Sequence, residues 1–122
     1  MKIRIQRNSV RYRLSRTDIQ KLSTEGYLEE VTPFGDSLFV YGVKKSADVS
    51  ELTADFQNGK ITLHIPEQLT DGWADNNVVG YDGEMLFGNN GSLKLLIEKD
   101  FKCLDNVTED QSDNYENPAK TC

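Results

Sequence analysis

Three arginines at strand spacing are the residues of this sequence best suited to chemistry. Arg4, Arg11 and Arg13 lie in two short stretches, Lys2 to Gln6 and Val10 to Leu14, where charged and apolar side chains alternate. A guanidinium is planar and donates two parallel hydrogen bonds, so it matches phosphate and carboxylate geometry. Several on one face focus a positive field. The chemistry on offer is anion binding, and the partner it implies is an anionic small molecule or an anionic protein. The plainer and commoner outcome is that neighbouring strands supply Glu29, Glu98 and Asp100 as cross-strand partners, which leaves ordinary ion pairs.

Other candidates are thinner. His64 is the single histidine, and in the run Lys60 to Ile65 it shares the polar face with Thr62. General-base catalysis needs a nucleophile held beside it, and no Gly-x-Ser-x-Gly or Cys–His proximity is visible. Cys103 and Cys122 are weak metal candidates, because the interval between them is far from the close spacing of zinc sites. A bond between them would close about 20 residues and add roughly 3 kcal/mol, though a reducing cytosol opposes it. Asp110, Ser112, Asn114 and Glu116 have the odd-position spacing of a calcium loop. Tyr115 stands where that loop needs glycine, and Thr121 where it needs glutamate. Gly80, Gly83, Gly88 and Gly91 are read as turn residues, not as a phosphate-cradling loop. Trp73, Tyr81, Met85 and Phe87 are read as core or rim. No catalytic residue, metal or cofactor is assigned, and the expectation is a binding or adaptor module, not an enzyme.

Charge supports the emphasis on the first strands. The chain has 122 residues and a net charge of −6, yet its first 21 residues carry +6 and the remainder −12. An acidic chain is a poor non-specific nucleic-acid binder, so nucleic acid is not expected as a partner. No apolar run approaches the roughly 18 residues of a membrane helix, and Met1 to Arg7 alternates where a secretory signal would be apolar. The expected compartment is the cytoplasm.

Elements must position these groups, and the pattern predicts mainly strands. Period-two alternation gives a first hairpin turning at Asn8-Ser9. Ser15 and Asp18 have capping-box spacing, Ile19 and Leu22 an apolar i, i+3 pair, and Gly26 a stop signal, which predicts a helix over 16–25. Further strands are expected at 27–32, 37–44, 50–56, 60–65, 78–87 and 92–100. Asn58-Gly59 is the strongest hairpin signal, Asp82-Gly83 reads as turn chemistry, and residues 66–73 have room for one or two helical turns opened by Pro66. Linking segments are hairpin-length, so antiparallel pairing is expected. The fold class is α+β, with about eight short strands in a curved sheet or barrel. Residues 1–103 are expected to form a single globular domain, and 104–122, net −4, an acidic C-terminal tail.

Two resemblances follow from particular residues. Lys2-Ile3-Arg4-Ile5, Asn8-Ser9-x-Arg11-x-Arg13-Leu14, Glu98-Lys99-Asp100-Phe101-x-Cys103-Leu104 and the acidic stretch from Glu109-Asp110 to Asn117-Pro118 together resemble a family of small bacterial proteins, a domain of unknown function recurring in Bacteroidetes and related bacteria. That resemblance implies a bacterial cytoplasmic protein and no particular activity. An eight-strand antiparallel barrel opening on a charged, alternating strand is also similar to the triphosphate tunnel enzymes, in which alternating glutamates hold a divalent metal. Lys2-Ile3-Arg4-Ile5-Gln6 has that period with the opposite sign. An alternative function, a phosphate- or triphosphate-processing enzyme, would need Glu98 and Asp100 as its metal carboxylates. A third is a purely structural protein whose acidic tail partners its own basic strand.

Overall fold

In a computed structural model, residues 1–101 are described. They form β1 (Lys2–Gln6), β2 (Ser9–Leu14), α1 (Arg16–Glu25), β3 (Tyr27–Phe34), β4 (Ser37–Ser46), β5 (Thr53–Gln57), β6 (Lys60–Pro66), β7 (Gly80–Leu86) and β8 (Ser92–Lys99). The tail at 104–122, Cys103, Cys122 and the calcium-like spacing all lie outside the described residues.

The strands make two four-stranded sheets, β1-β2-β8-β7 and β3-β4-β6-β5. Each consists of two antiparallel hairpins joined along a parallel centre, β2 beside β8 and β4 beside β6. Pairing is therefore mainly antiparallel, as expected, but the two central pairings are not. Hairpin-length links reveal only neighbours in sequence. A parallel pair needs a crossover of a dozen or more residues, and here β5 and the long middle of the chain are those crossovers. The sheets do not close into a barrel. Their inner faces share one core, with Tyr12, Leu14, Val43, Leu63, Leu95 and Ile97 fully buried.

β2, β8, β4 and β6 all finish at one end, and α1 closes it. Ser15 Oγ accepts from the Asp18 amide at 3.1 Å while the Ser15 amide donates to Asp18 Oδ2 at 2.9 Å, a complete capping box. Gly26 stops the helix with φ 82°, a conformation that disfavours any other residue. Ile19 and Leu22 point into the core. Two 3-10 turns, Glu67–Thr70 and Trp73–Asp75, complete this end. Trp73 is fully buried, its Nε1 donates to the Val78 carbonyl at 2.8 Å, and its ring packs 5.1 Å from that of Tyr81.

Three local expectations need correction. The first turn is Arg7-Asn8, with Arg7 at φ 51° and Gln6 paired with Ser9. Asn8 instead ties the hairpin to β8, its carbonyl accepting from the Lys94 amide at 2.8 Å. Strand β5 begins at Thr53, not 50. Asp82-Gly83 is no turn, since both residues lie inside β7. There a Cβ on Gly83 would stand 3.2 Å from Leu52 Cβ, so this glycine lets the chain ahead of β5 press against the other sheet. Pro33 is accommodated inside β3 because β3 is an edge strand.

Candidate functional site

The registers of β1, β2, β8 and β7 arrange the outer face of the first sheet in rows. One row runs Lys2, Arg13, Glu98, Gly80; the next Arg4, Arg11, Leu96, Asp82; the third Gln6, Ser9, Lys94, Glu84. Period-two alternation points all of these away from the core, so the predicted cations do converge. Lys2, Arg4, Arg11 and Arg13 line a hollow of about 190 Å³ on this face. Acids hold the opposite edge, Asp82 and Glu84 on β7.

Carboxylates enter this cationic half from β8 and the residue just beyond it. Arg11 Nε donates to Glu98 Oε1, and Lys2 Nζ lies 3.1 Å from Asp100 Oδ2. Two of the three acids expected to neutralise the arginines therefore do approach this face. Glu29 does not: it lies in β3 of the other sheet, opposite Gly42. Glu98 and Asp100, the carboxylates that a metal-dependent triphosphate reading requires, are engaged in these ion pairs. Among the described residues, no group of three or more His, Cys, Asp and Glu side chains is placed to hold a metal ion.

Two tyrosines frame the wall between the sheets. Tyr12 reaches across from β2 to set its ring 6.3 Å from that of Tyr41. Burial, reinforced by the neighbouring tyrosines, raises its hydroxyl far above the ordinary tyrosine range. Burial likewise raises the Tyr41 hydroxyl, as does nearby Glu30. Both hydroxyls therefore stay protonated at neutral pH.

The second sheet carries an arrangement that sequence reasoning did not assemble. His64 does share the polar face of β6 with Thr62, as expected. On that face its Nδ1 is 3.1 Å from Ser46 Oγ and its Nε2 is 2.8 Å from Asp55 Oδ2. The three come from β4, β6 and β5. Half of the signal was in the chain: a two-residue Asn58-Gly59 loop sets Thr53 opposite His64 and Asp55 opposite Thr62, so Asp55 is the diagonal neighbour of His64. Ser46 had no such signal, because it arrives through the parallel β4–β6 pairing.

A family of unknown function, DUF7009, matches residues 1–119. The chain belongs to that family. Searches of curated proteins and of solved structures find no match. Membership in DUF7009 thus assigns no chemistry to either face. It spans the basic first strands and β8, whose residues carried the resemblance noted in the sequence. Among the described residues no helix is long and apolar enough to cross a membrane.

Proposed function

We propose that this chain is a small binding module of the bacterial cytoplasm whose Arg4, Arg11 and Arg13 face accepts an anion of the phosphate or carboxylate class. The compartment rests on the resemblance carried by its terminal motifs. The observation that carries the binding reading is the register of the first hairpin, which sets Lys2 directly across from Arg13 and Arg4 directly across from Arg11. Like charges opposite one another destabilise a hairpin. Two such pairs side by side around one hollow concentrate positive charge on a face that an anion relieves. A guanidinium has five N–H donors and can be shared among several anionic oxygens. Glu98 then acts as an internal competitor that a tighter anion displaces from Arg11.

The test is calorimetric titration of inorganic phosphate and tripolyphosphate into the full chain, with and without magnesium. Binding is expected without the metal and should weaken as salt is raised, because the contacts are charge-assisted and partly exposed. Arg13→Ala should lower affinity at least about tenfold, or about 1.4 kcal/mol. Binding that requires magnesium would favour the triphosphate-processing alternative. If Arg11→Ala and Arg13→Ala leave every titration unchanged, or if nothing binds, the arginines are ordinary cross-strand ion pairs.

A further inference from the structure

We propose that Ser46, His64 and Asp55 form a second site, an acyl-transfer centre in which Ser46 is the nucleophile and short-chain carboxylic esters are the substrate class. This does not depend on the basic face, which lies on the other sheet.

Hydrogen-bond polarity is the first support. A carboxylate only accepts, so Asp55 Oδ2 at 2.8 Å takes its hydrogen bond from His64 Nε2–H. The neutral imidazole then has its lone pair on Nδ1, and Ser46 Oγ–H donates to it across 3.1 Å. Hydroxyl to imidazole to carboxylate is the order that nucleophilic catalysis requires: a nucleophile, a base within reach of its proton, and a third group holding the base in one tautomer. The two ring nitrogens have exchanged places relative to the usual triad, which leaves the proton path intact because either nitrogen can serve as base.

Position is the second support. The three side chains open on a concave surface of about 290 Å³ that Lys44, Val49 and Ala54 also line. Such a volume suits a small acyl group, being at the low end for ligand pockets. Ser46 is 6% exposed and the His64 side chain 23%, so both are drawn out of bulk water. Lys44 is the register neighbour of His64 on β4. Lys44 lines the same surface together with Asp48, and its ammonium would be the cation to meet the charge that develops on a carbonyl oxygen.

The step balances with water as the only co-reactant. Ser46 Oγ bonds to the carbonyl carbon while its proton passes to His64 Nδ1, and the imidazolium so formed is faced by Asp55. The bond from the carbonyl carbon to the leaving oxygen breaks, and the alcohol departs with the proton from Nδ1. Water then attacks the acyl-serine, giving its proton to Nδ1. The carbonyl carbon–Oγ bond breaks, Oγ recovers the proton, and the carboxylic acid leaves.

The experiment is labelling of the full chain with a fluorophosphonate, a serine-directed probe, followed by intact mass and peptide mapping. One adduct on Ser46 is expected. It should be absent in Ser46→Ala, slowed on the order of 100-fold in His64→Gln, and slowed at least about tenfold in Asp55→Asn. 4-Nitrophenyl acetate should give a burst of one nitrophenolate per chain that Ser46→Ala abolishes. No adduct on Ser46 in the folded wild-type chain overturns the proposal. So does an unchanged labelling rate in His64→Gln, or in Asp55→Asn if the histidine variant does not fold, because a serine that is merely reactive or merely structural would not depend on its neighbours.

Discussion

The sheets β1-β2-β8-β7 and β3-β4-β6-β5 share a plan, two hairpins along a parallel centre, and differ in what their outer faces do with polar groups. The first gathers like charges: two cation–cation pairs cross the hairpin, and opposite charge arrives from β8 and its C-terminal extension. The second gathers unlike groups into a chain of directed hydrogen bonds from Ser46 through His64 to Asp55. The contrast separates two kinds of potential. Concentrated charge at a wet surface offers binding and is screened by salt. A partly buried hydrogen-bond chain offers proton transfer and is set by geometry. In both sheets the parallel central pairing completes the arrangement, bringing Glu98 to Arg11 and His64 to Ser46.

The largest expected effects test whether these different faces rest on a common interior. Leu95 lies in the centre of the first sheet and Leu63 in the centre of the second, and both are fully buried. Leu95→Ala and Leu63→Ala should each cost about 2–5 kcal/mol, and each variant should unfold in urea in a single transition. A loss below about 1 kcal/mol at one site only, or two transitions in either variant, would mean that the sheets are energetically separate. The comparison of their faces would then be one between two independent units.

How much of this could be read from the chain depends on how local each feature is. The capping box at Ser15 and Asp18, the stop at Gly26 and the period-two alternation of Ile3, Ile5, Val10, Tyr12 and Leu14 are all set within a few residues. The helix over 16–25 and the shared face of Arg4, Arg11 and Arg13 follow directly. The Asn58-Gly59 hairpin was equally local, and with it the closeness of Asp55 to His64. Beyond hairpins the information runs out. Ser46 meets His64, and Arg11 meets Glu98, at sequence separations of 18 and 87 residues, and no short-range pattern encodes a parallel register. Gly83 shows the same limit: Asp-Gly resembles a turn locally, whereas the need for a small residue comes from Leu52, in the segment just ahead of β5.

An intermediate effect sharpens the reading of the charged face. If Glu98 competes with a ligand for Arg11, Glu98→Gln removes a negative charge and weakens the competitor. Phosphate affinity should rise by about three- to tenfold, up to roughly 1.4 kcal/mol, in the same calorimetric titration. A fall in affinity would assign Glu98 the task of positioning Arg11. The matching change on the other sheet, Asp55→Asn, should leave phosphate binding unaltered, since the two faces do not share residues.

A smaller effect belongs to the closed end that both sheets abut. Burial works to raise the Asp18 carboxyl, but hydrogen bonds from Ser15 and the N-terminal ammonium at 3.0 Å outweigh it, so the group is held below its usual value of 3.8. A carboxyl lowered on folding contributes fully above its unfolded value and loses that contribution as pH falls through its folded one. Asp18→Ala should therefore cost about 1 kcal/mol at pH 7. The difference from wild type should shrink below pH 3.8 in acid titrations of stability. A difference that stays constant down to full protonation would mean that the charge of Asp18 contributes nothing beyond its place in the helix.

The smallest effect distinguishes two ion pairs on the same cationic face. The Lys2 side chain is 71% exposed against Asp100 at 25%, whereas Arg11 and Glu98 are 27% and 23% exposed. Water and mobile ions reach Lys2 freely, and a long flexible side chain loses rotamer freedom when held, so an exposed lysine pair contributes little. A double-mutant cycle on Lys2→Ala and Asp100→Asn should give a coupling below about 0.5 kcal/mol that disappears in 1 M salt, where screening acts over about 3 Å. The cycle on Arg11→Ala and Glu98→Gln should give a larger coupling that partly survives the salt, because both partners are mostly shielded and the guanidinium is rigid. Equal couplings would mean that solvent reaches both pairs alike. The face would then be a uniform layer of surface charge, with no sheltered arginine at its centre for an anion to find.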